Sequence, residues 1–122
     1  MRLRDVFQAH ESALQLGGLA GIREVALLES AIGRPYTGYY RRTYQKAAAL
    51  VESLVQNHGF IDGNKRTAFI VTRLFLERSG YMLNGILDPP DVELEHLIVG
   101  IAGAHPLQEP IADWFRRRLE PL

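Results

Sequence analysis

Apolar residues recur along the chain at three- and four-residue spacings, and the pattern reads as a succession of helices. Over 3–16, Leu3, Val6, Phe7, His10 and Leu14 keep this rhythm until Gly17-Gly18 stops it. The stretch Gly17 to Gly21 is a flexible connector, because glycines impose little backbone preference. From Arg23 to about Ile32, Val25, Leu27, Leu28 and Ile32 predict a short helix closed by Gly33 and Pro35. Tyr36 to Arg42 is aromatic and basic without period, hence a loop. Residues 43–57 put Tyr44, Ala47, Ala48, Val51, Leu54 and Val55 on one broad apolar face. Over 64–79, Ala68, Phe69, Ile70, Val71, Leu74, Phe75 and Leu76 point in almost every direction at 100° per residue. A helix apolar all round is a buried one, so this segment is expected at the centre. Gly80 ends it, and 81–85 reads as a turn. Pro89-Pro90 precedes a predicted helix over 91–103 with Val92, Leu94, Leu97, Ile98 and Ile101. The last helix is expected from Pro110 through Trp114-Phe115 to Arg116-Arg117-Arg118, whose charges suit a helix C-terminus. No segment alternates as a strand would. The expected fold class is all-α, a single domain over 1–122 with five or six helices.

Charge and composition narrow the function. The 122 residues carry 14 Lys+Arg against 14 Asp+Glu and no Cys. Zero net charge argues against a chain held to nucleic acid or an anionic membrane by bulk electrostatics. Without cysteine there are no disulfides, thiol nucleophiles or thiolate zinc sites. Met1-Arg2-Leu3-Arg4-Asp5 leads into no apolar h-region, and no stretch approaches the ~20 apolar residues of a membrane span. A cytoplasmic protein without direct nucleic-acid or membrane binding is expected, with any special charge chemistry local.

That chemistry concentrates in His58-Gly59-Phe60-Ile61-Asp62-Gly63-Asn64-Lys65-Arg66-Thr67. An imidazole, a carboxylate, a carboxamide and two cations lie between two apolar helices. The second begins near Asn64, so the backbone N–H groups of residues 63–66 point out of its N-terminus, a ready anion site. The helix dipole disfavours cations there, yet Lys65 and Arg66 occupy the first turn. Two cations on a positive helix end make sense when a strongly negative group binds, and a polyphosphate fits best. Asp62 supplies the hard oxygen that phosphate-bound Mg²⁺ needs. Gly63 permits a turn and a close phosphate approach. His58 has a proton affinity near neutrality and is the candidate general base. The spacing fails for a Walker A loop, and no second His lies one turn from His58 as a zinc hydrolase requires. The competing reading makes His58 and Asp62 a capping pair and leaves Lys65 and Arg66 solvated.

The same residues fit the pattern H-x-F-x-D-[AG]-N-K-R-T, which resembles the signature of the Doc (death-on-curing) toxins of the Fic superfamily. Gly17-Gly18-x-x-Gly21-x-Arg23, Leu28-Glu29-Ser30-Ala31, Arg34-Pro35, Lys46-Ala47-Ala48 and Ile111-Ala112-Asp113-Trp114 are similar to the family as well. Gly59 stands where many relatives have Pro. The resemblance implies a helical Fic fold in which the motif loop runs into a central helix. It also implies roles: His58 deprotonates a hydroxyl of a target protein, Phe60 anchors the loop, and Asp62 holds Mg²⁺. Gly63, Asn64 and the next amides form the anion hole, and Arg66 clamps phosphate. Lys65 replaces the Gly of typical Fic enzymes, which leaves room there for the α-phosphate in AMP transfer. Lys at this position goes with reversed ATP and transfer of the γ-phosphate. The resemblance therefore implies a protein kinase toxin acting with Mg-ATP on a threonine of elongation factor Tu and so blocking translation. AMP or other nucleotidyl transfer, and a non-catalytic partner-binding scaffold, are the alternatives.

Self-inhibited Fic proteins carry an internal [ST]-x-x-x-E-[GN] helix, but no Ser or Thr here is followed four residues later by Glu. Inhibition from outside, by a Phd-like antitoxin, is the implied regulation. Segment 17–24 matches the region that forms a substrate-binding flap in the superfamily, although its glycines equally suit a plain connector. His10, His96 and His105 are expected to be structural or exposed. Tyr39, Tyr40, Arg41 and Arg42 read as an ordinary surface loop. Arg73, on the face of Arg66, would either extend the phosphate clamp or pair with a carboxylate.

Overall fold

In the computed structural model, residues 1–15, 17–57, 59, 63–83 and 108–122 are described. His58, Phe60 and Asp62 lie outside them, as do His96, His105 and the predicted helix over 91–103. Helix α1 spans Leu3–Leu14; at its start the Asp5 carboxylate accepts the Arg2 N–H at 2.9 Å and the Asp5 N–H donates to the Arg2 carbonyl at 3.0 Å. Asp5 also holds Arg78 through two hydrogen bonds of 3.0 Å each. The Arg78 hydrogen bond, followed by that from the Arg2 amide, keeps the Asp5 carboxyl well below the usual range, at about 2.

Helix α2 spans Val25–Gly33, its α-helical part ending at Gly33 as expected. The chain goes on into a 3₁₀ turn, Arg34–Tyr36, because Gly33 keeps right-handed helical angles and Pro35 sits early in the new turn, where its missing N–H costs nothing. Helix α3 spans Thr43–Asn57 and helix α4 spans Asn64–Arg78. In α3 every residue from Ala47 to Val55 is buried. The run Ala47-Ala48-Ala49 lets other elements approach closely, and α3 packs against α2, the 3₁₀ turn, α4 and the last helix.

The all-round apolar reading of α4 needs adjustment. Thr67, Ala68, Val71, Thr72, Phe75 and Leu76 are buried, whereas Phe69, Ile70 and Leu74 are half-buried and Lys65, Arg66, Arg73 and Glu77 are exposed. Arg66, Arg73 and Glu77, spaced seven and four residues apart, open one side of α4 to water, while α3, with only Glu52 charged in its buried run, is enclosed. Glu52 is paired. Arg34 Nη1 donates to Glu52 Oε1 and to Ser53 Oγ (2.9 Å), and Nε donates to the Tyr40 hydroxyl (3.1 Å). This network ties the 3₁₀ turn and the following loop onto α3.

Helix α5 spans Gln108–Arg118, starting two residues earlier than expected. Its arginines are engaged: Arg116 and Arg117 pair with Asp113, and Arg118 stacks over Trp114 at 4.8 Å. The chain then forms strand β2, Leu119–Pro121, antiparallel to β1, Tyr81–Leu83, with Leu83 opposite Leu119. A strand therefore stands where 81–85 read as a turn. Three residues are too few to display alternation, and their pairing is made by the fold. Val6, Leu28, Leu50, Val55, Val71, Ile111 and Phe115 fill the common core. The architecture is otherwise helical, as expected.

Candidate active site

Helix α4 begins where the motif predicts. Gly63 precedes it in the left-handed region (φ +78°, ψ 14°), and its carbonyl accepts the Thr67 N–H at 3.0 Å, closing the first turn. An L side chain there costs about 1–2 kcal/mol, so glycine opens the turn cheaply. No acidic residue occupies the first turn. Lys65 and Arg66 are exposed and Asn64 is half-buried. Amide donors, a positive helix end and two cations thus coincide, and the donor chemistry fits a phosphate.

The floor of this corner belongs to α1. An added Gly63 Cβ would lie 3.5 Å from the His10 ring and 3.6 Å from Leu14. His10 is buried at 6% exposure, which fits the structural role expected for it and places it beside the motif.

Upstream, Asn57 closes α3 by donating from Nδ2 to the Leu27 carbonyl at 3.0 Å. The Gly59 carbonyl accepts two N–H groups, from Arg23 at 2.8 Å and Glu24 at 3.1 Å. Leu28 lies against Gly59 so closely that a Cβ there would meet Leu28 Cδ2. Leu28 of α2 thus occupies the space that a side chain at position 59 would need.

Arg66, implied as a phosphate clamp, directs Nη1 at the carbonyls of Ala13 (3.4 Å) and Gly17 (3.2 Å), just past the end of α1. Arg73 pairs with Glu77 at 3.5 Å, the second of its two expected roles. Thr67 Oγ1 is buried with no hydrogen-bond partner among the described residues. Among the described residues no cluster of His, Asp and Glu could hold a metal. Four implied site residues, Gly63 to Arg66, therefore share one helix start. The contributions of Gly59, Leu28, His10 and the Arg23–Glu24 amides went unread, since each acts through a partner distant in sequence.

A helical frame thus presents a glycine-opened, cation-bearing helix start. Residues 1–76 match the family model described as Fic/DOC. Toxin Doc of Mycolicibacterium smegmatis is 41% identical over 89 residues, covering 69% of this chain and 67% of that protein. Protein kinase doc of Escherichia phage P1 is 34% identical over 118 residues, covering 93% of this chain and 90% of that protein. The chain belongs to the Fic/DOC family, as a Doc member.

Proposed function

We propose that this single-domain chain is the toxin of a toxin–antitoxin pair and a protein kinase that transfers the γ-phosphate of Mg-ATP to a threonine of elongation factor Tu, blocking translation in the cytoplasm. The observation that carries this reading is the coincidence of left-handed Gly63, the N-terminus of α4 and the Lys65–Arg66 pair at one helix start. The likeness to Protein kinase doc of phage P1 over nearly the full length supports it.

In this reading His58 takes the proton of the target hydroxyl as its oxygen forms a bond to the γ-phosphorus. The bond from that phosphorus to the β–γ bridging oxygen breaks, and ADP leaves. Mg²⁺ held through Asp62 would neutralise charge on the phosphates. Gly63, Asn64 and the next amides, with Lys65 and Arg66, orient and neutralise the transferring group, the main work in phosphoryl transfer. Phe60 anchors the loop that carries His58 and Asp62. Lys65 fills the space an α-phosphate needs in AMP transfer, which favours the kinase over the nucleotidyl transferase. An external Phd-like antitoxin supplies the inhibition that the sequence lacks.

Mass spectrometry of elongation factor Tu after incubation with the protein and Mg-ATP tests the proposal. Phosphorylation adds about 80 Da and adenylylation about 329 Da. Adenylylation would replace the kinase reading, and an unmodified proteome in a treated lysate would favour the non-catalytic scaffold.

A further inference from the structure

Segment 17–24 is anchored to the motif at both of its ends. At the first end, Arg66 Nη1 reaches the carbonyls of Ala13 and Gly17, at 3.4 and 3.2 Å. At the second, the Gly59 carbonyl accepts the Arg23 and Glu24 N–H groups, at 2.8 and 3.1 Å. Between the anchors Leu19 is 68% and Ile22 47% exposed, so apolar burial contributes little to holding the strap. Besides the Gly17 N–H bond to the Leu14 carbonyl (2.9 Å), its two ends are tied by hydrogen bonds to Gly59 and Arg66, on either side of Asp62 in the sequence.

A guanidinium carries five N–H donors in a rigid plane. Nη1 supplies the two that face Ala13 and Gly17, and the Nε–Nη2 edge meets no partner among the described residues. That edge makes bidentate contacts with oxyanions. Because the group is planar, fixing one edge orients the other.

We infer that Arg66 is a positioning residue shared between the anion site and the strap, so that an oxyanion on its Nε–Nη2 edge stiffens the Gly17 end of the strap. The inference rests on the phosphate-binding reading of the α4 N-terminus given above. It separates the two anchors: the Gly17 end responds to ligand, while the Arg23–Glu24 end stays fixed by Gly59.

Backbone ¹⁵N relaxation on the full chain tests this, with Mg-ATP binding followed in parallel by calorimetry. Without ligand, Arg66→Ala should lower the order parameters of Gly17 and Gly18 to about 0.6 or less, while Arg23 and Glu24 stay near about 0.85. Lys65→Ala removes the neighbouring cation, which has no strap contact among the described residues, and should leave all four unchanged. In the unsubstituted protein, Mg-ATP should raise the Gly17 and Gly18 values. Should Arg66→Ala not fold, Arg66→Lys serves, since a single ammonium cannot hold both carbonyls and offer a second edge. Unchanged values in the Arg66 variant, or an equal drop in Lys65→Ala, overturn the tether. Bound Mg-ATP that leaves Gly17 and Gly18 unaffected overturns the coupling. Absence of Mg-ATP binding refutes the nucleotide reading together with the stiffening, and the ligand-free comparison then judges the tether alone.

Discussion

Replacing Gly59 by Ala puts a methyl group where Leu28 already sits. The new Cβ would overlap Leu28 Cδ2 and fall 2.6 Å from its Cγ. Carbon atoms pack at about 3.5–4.0 Å, so more than an ångström must be recovered. Gly59 is not among the positive-φ glycines, which leaves space as the obstacle rather than backbone conformation. Leu28 is only 2% exposed and has no open side to move toward. Overpacking of this kind costs about 1–3 kcal/mol, and the stiffer unfolded chain of an alanine variant offsets about 0.4–1. A net loss of about 1–2 kcal/mol is expected. Leu28→Ala alone should cost about 2–5 kcal/mol through its cavity. The double variant removes the clashing atoms and returns part of the lost volume. Its cost should therefore fall short of the sum of the single costs by at least about 1 kcal/mol. Urea unfolding followed by circular dichroism, with slopes compared, measures all four corners of the cycle. A Gly59→Ala protein within about 0.5 kcal/mol of the parent, or a strictly additive cycle, would refute the packing argument.

Further outcomes concern charge and chemistry. Asp5 has its folded pKa lowered to about 2 from 3.8 by Arg78 and the Arg2 amide, so its stabilising contribution is complete above pH 3.8 and is lost as pH falls through about 2. The melting-temperature gap between the parent and Asp5→Asn should shrink over that window, and a gap independent of pH would refute the linkage. Arg34→Met leaves the buried Glu52 carboxylate unpaired and should cost about 2–4 kcal/mol, with Arg34→Met/Glu52→Gln recovering much of the loss in denaturant titrations. His58→Ala should abolish toxicity in a growth assay with little change in melting temperature; persistent toxicity would end the general-base role. Lys65→Gly should admit AMP transfer, and undiminished phosphorylation without adenylylation would contradict the steric account.

Much of the site was legible because the motif is continuous in sequence. Gly63 to Arg66 sit on one helix start whatever the rest of the chain does, since a left-handed glycine followed by a good helix segment fixes that turn locally. The helices of 3–14, 25–33 and 43–57 were equally readable, their apolar period surviving from sequence to packing. Arg116 to Arg118 do lie in the last turn of their helix, as their charge suggested, but the pairing with Asp113 and the stacking on Trp114 one turn away were not read. The two strands escaped detection because each holds three residues and finds its partner far along the chain.

The sequence by itself determined the helical class, the place of the glycine turn that opens α4 and the concentration of positive charge there within a neutral chain. Local rules suffice for these, since period, glycine conformation and helix polarity act within a few residues. Only the tertiary structure decided that α3 rather than α4 is the most enclosed helix, that Leu28 excludes a side chain at position 59, and that Arg66 reaches back to the end of α1. Those depend on which surfaces meet, and the meeting is settled by burying the whole apolar complement at once, not by any segment's own pattern.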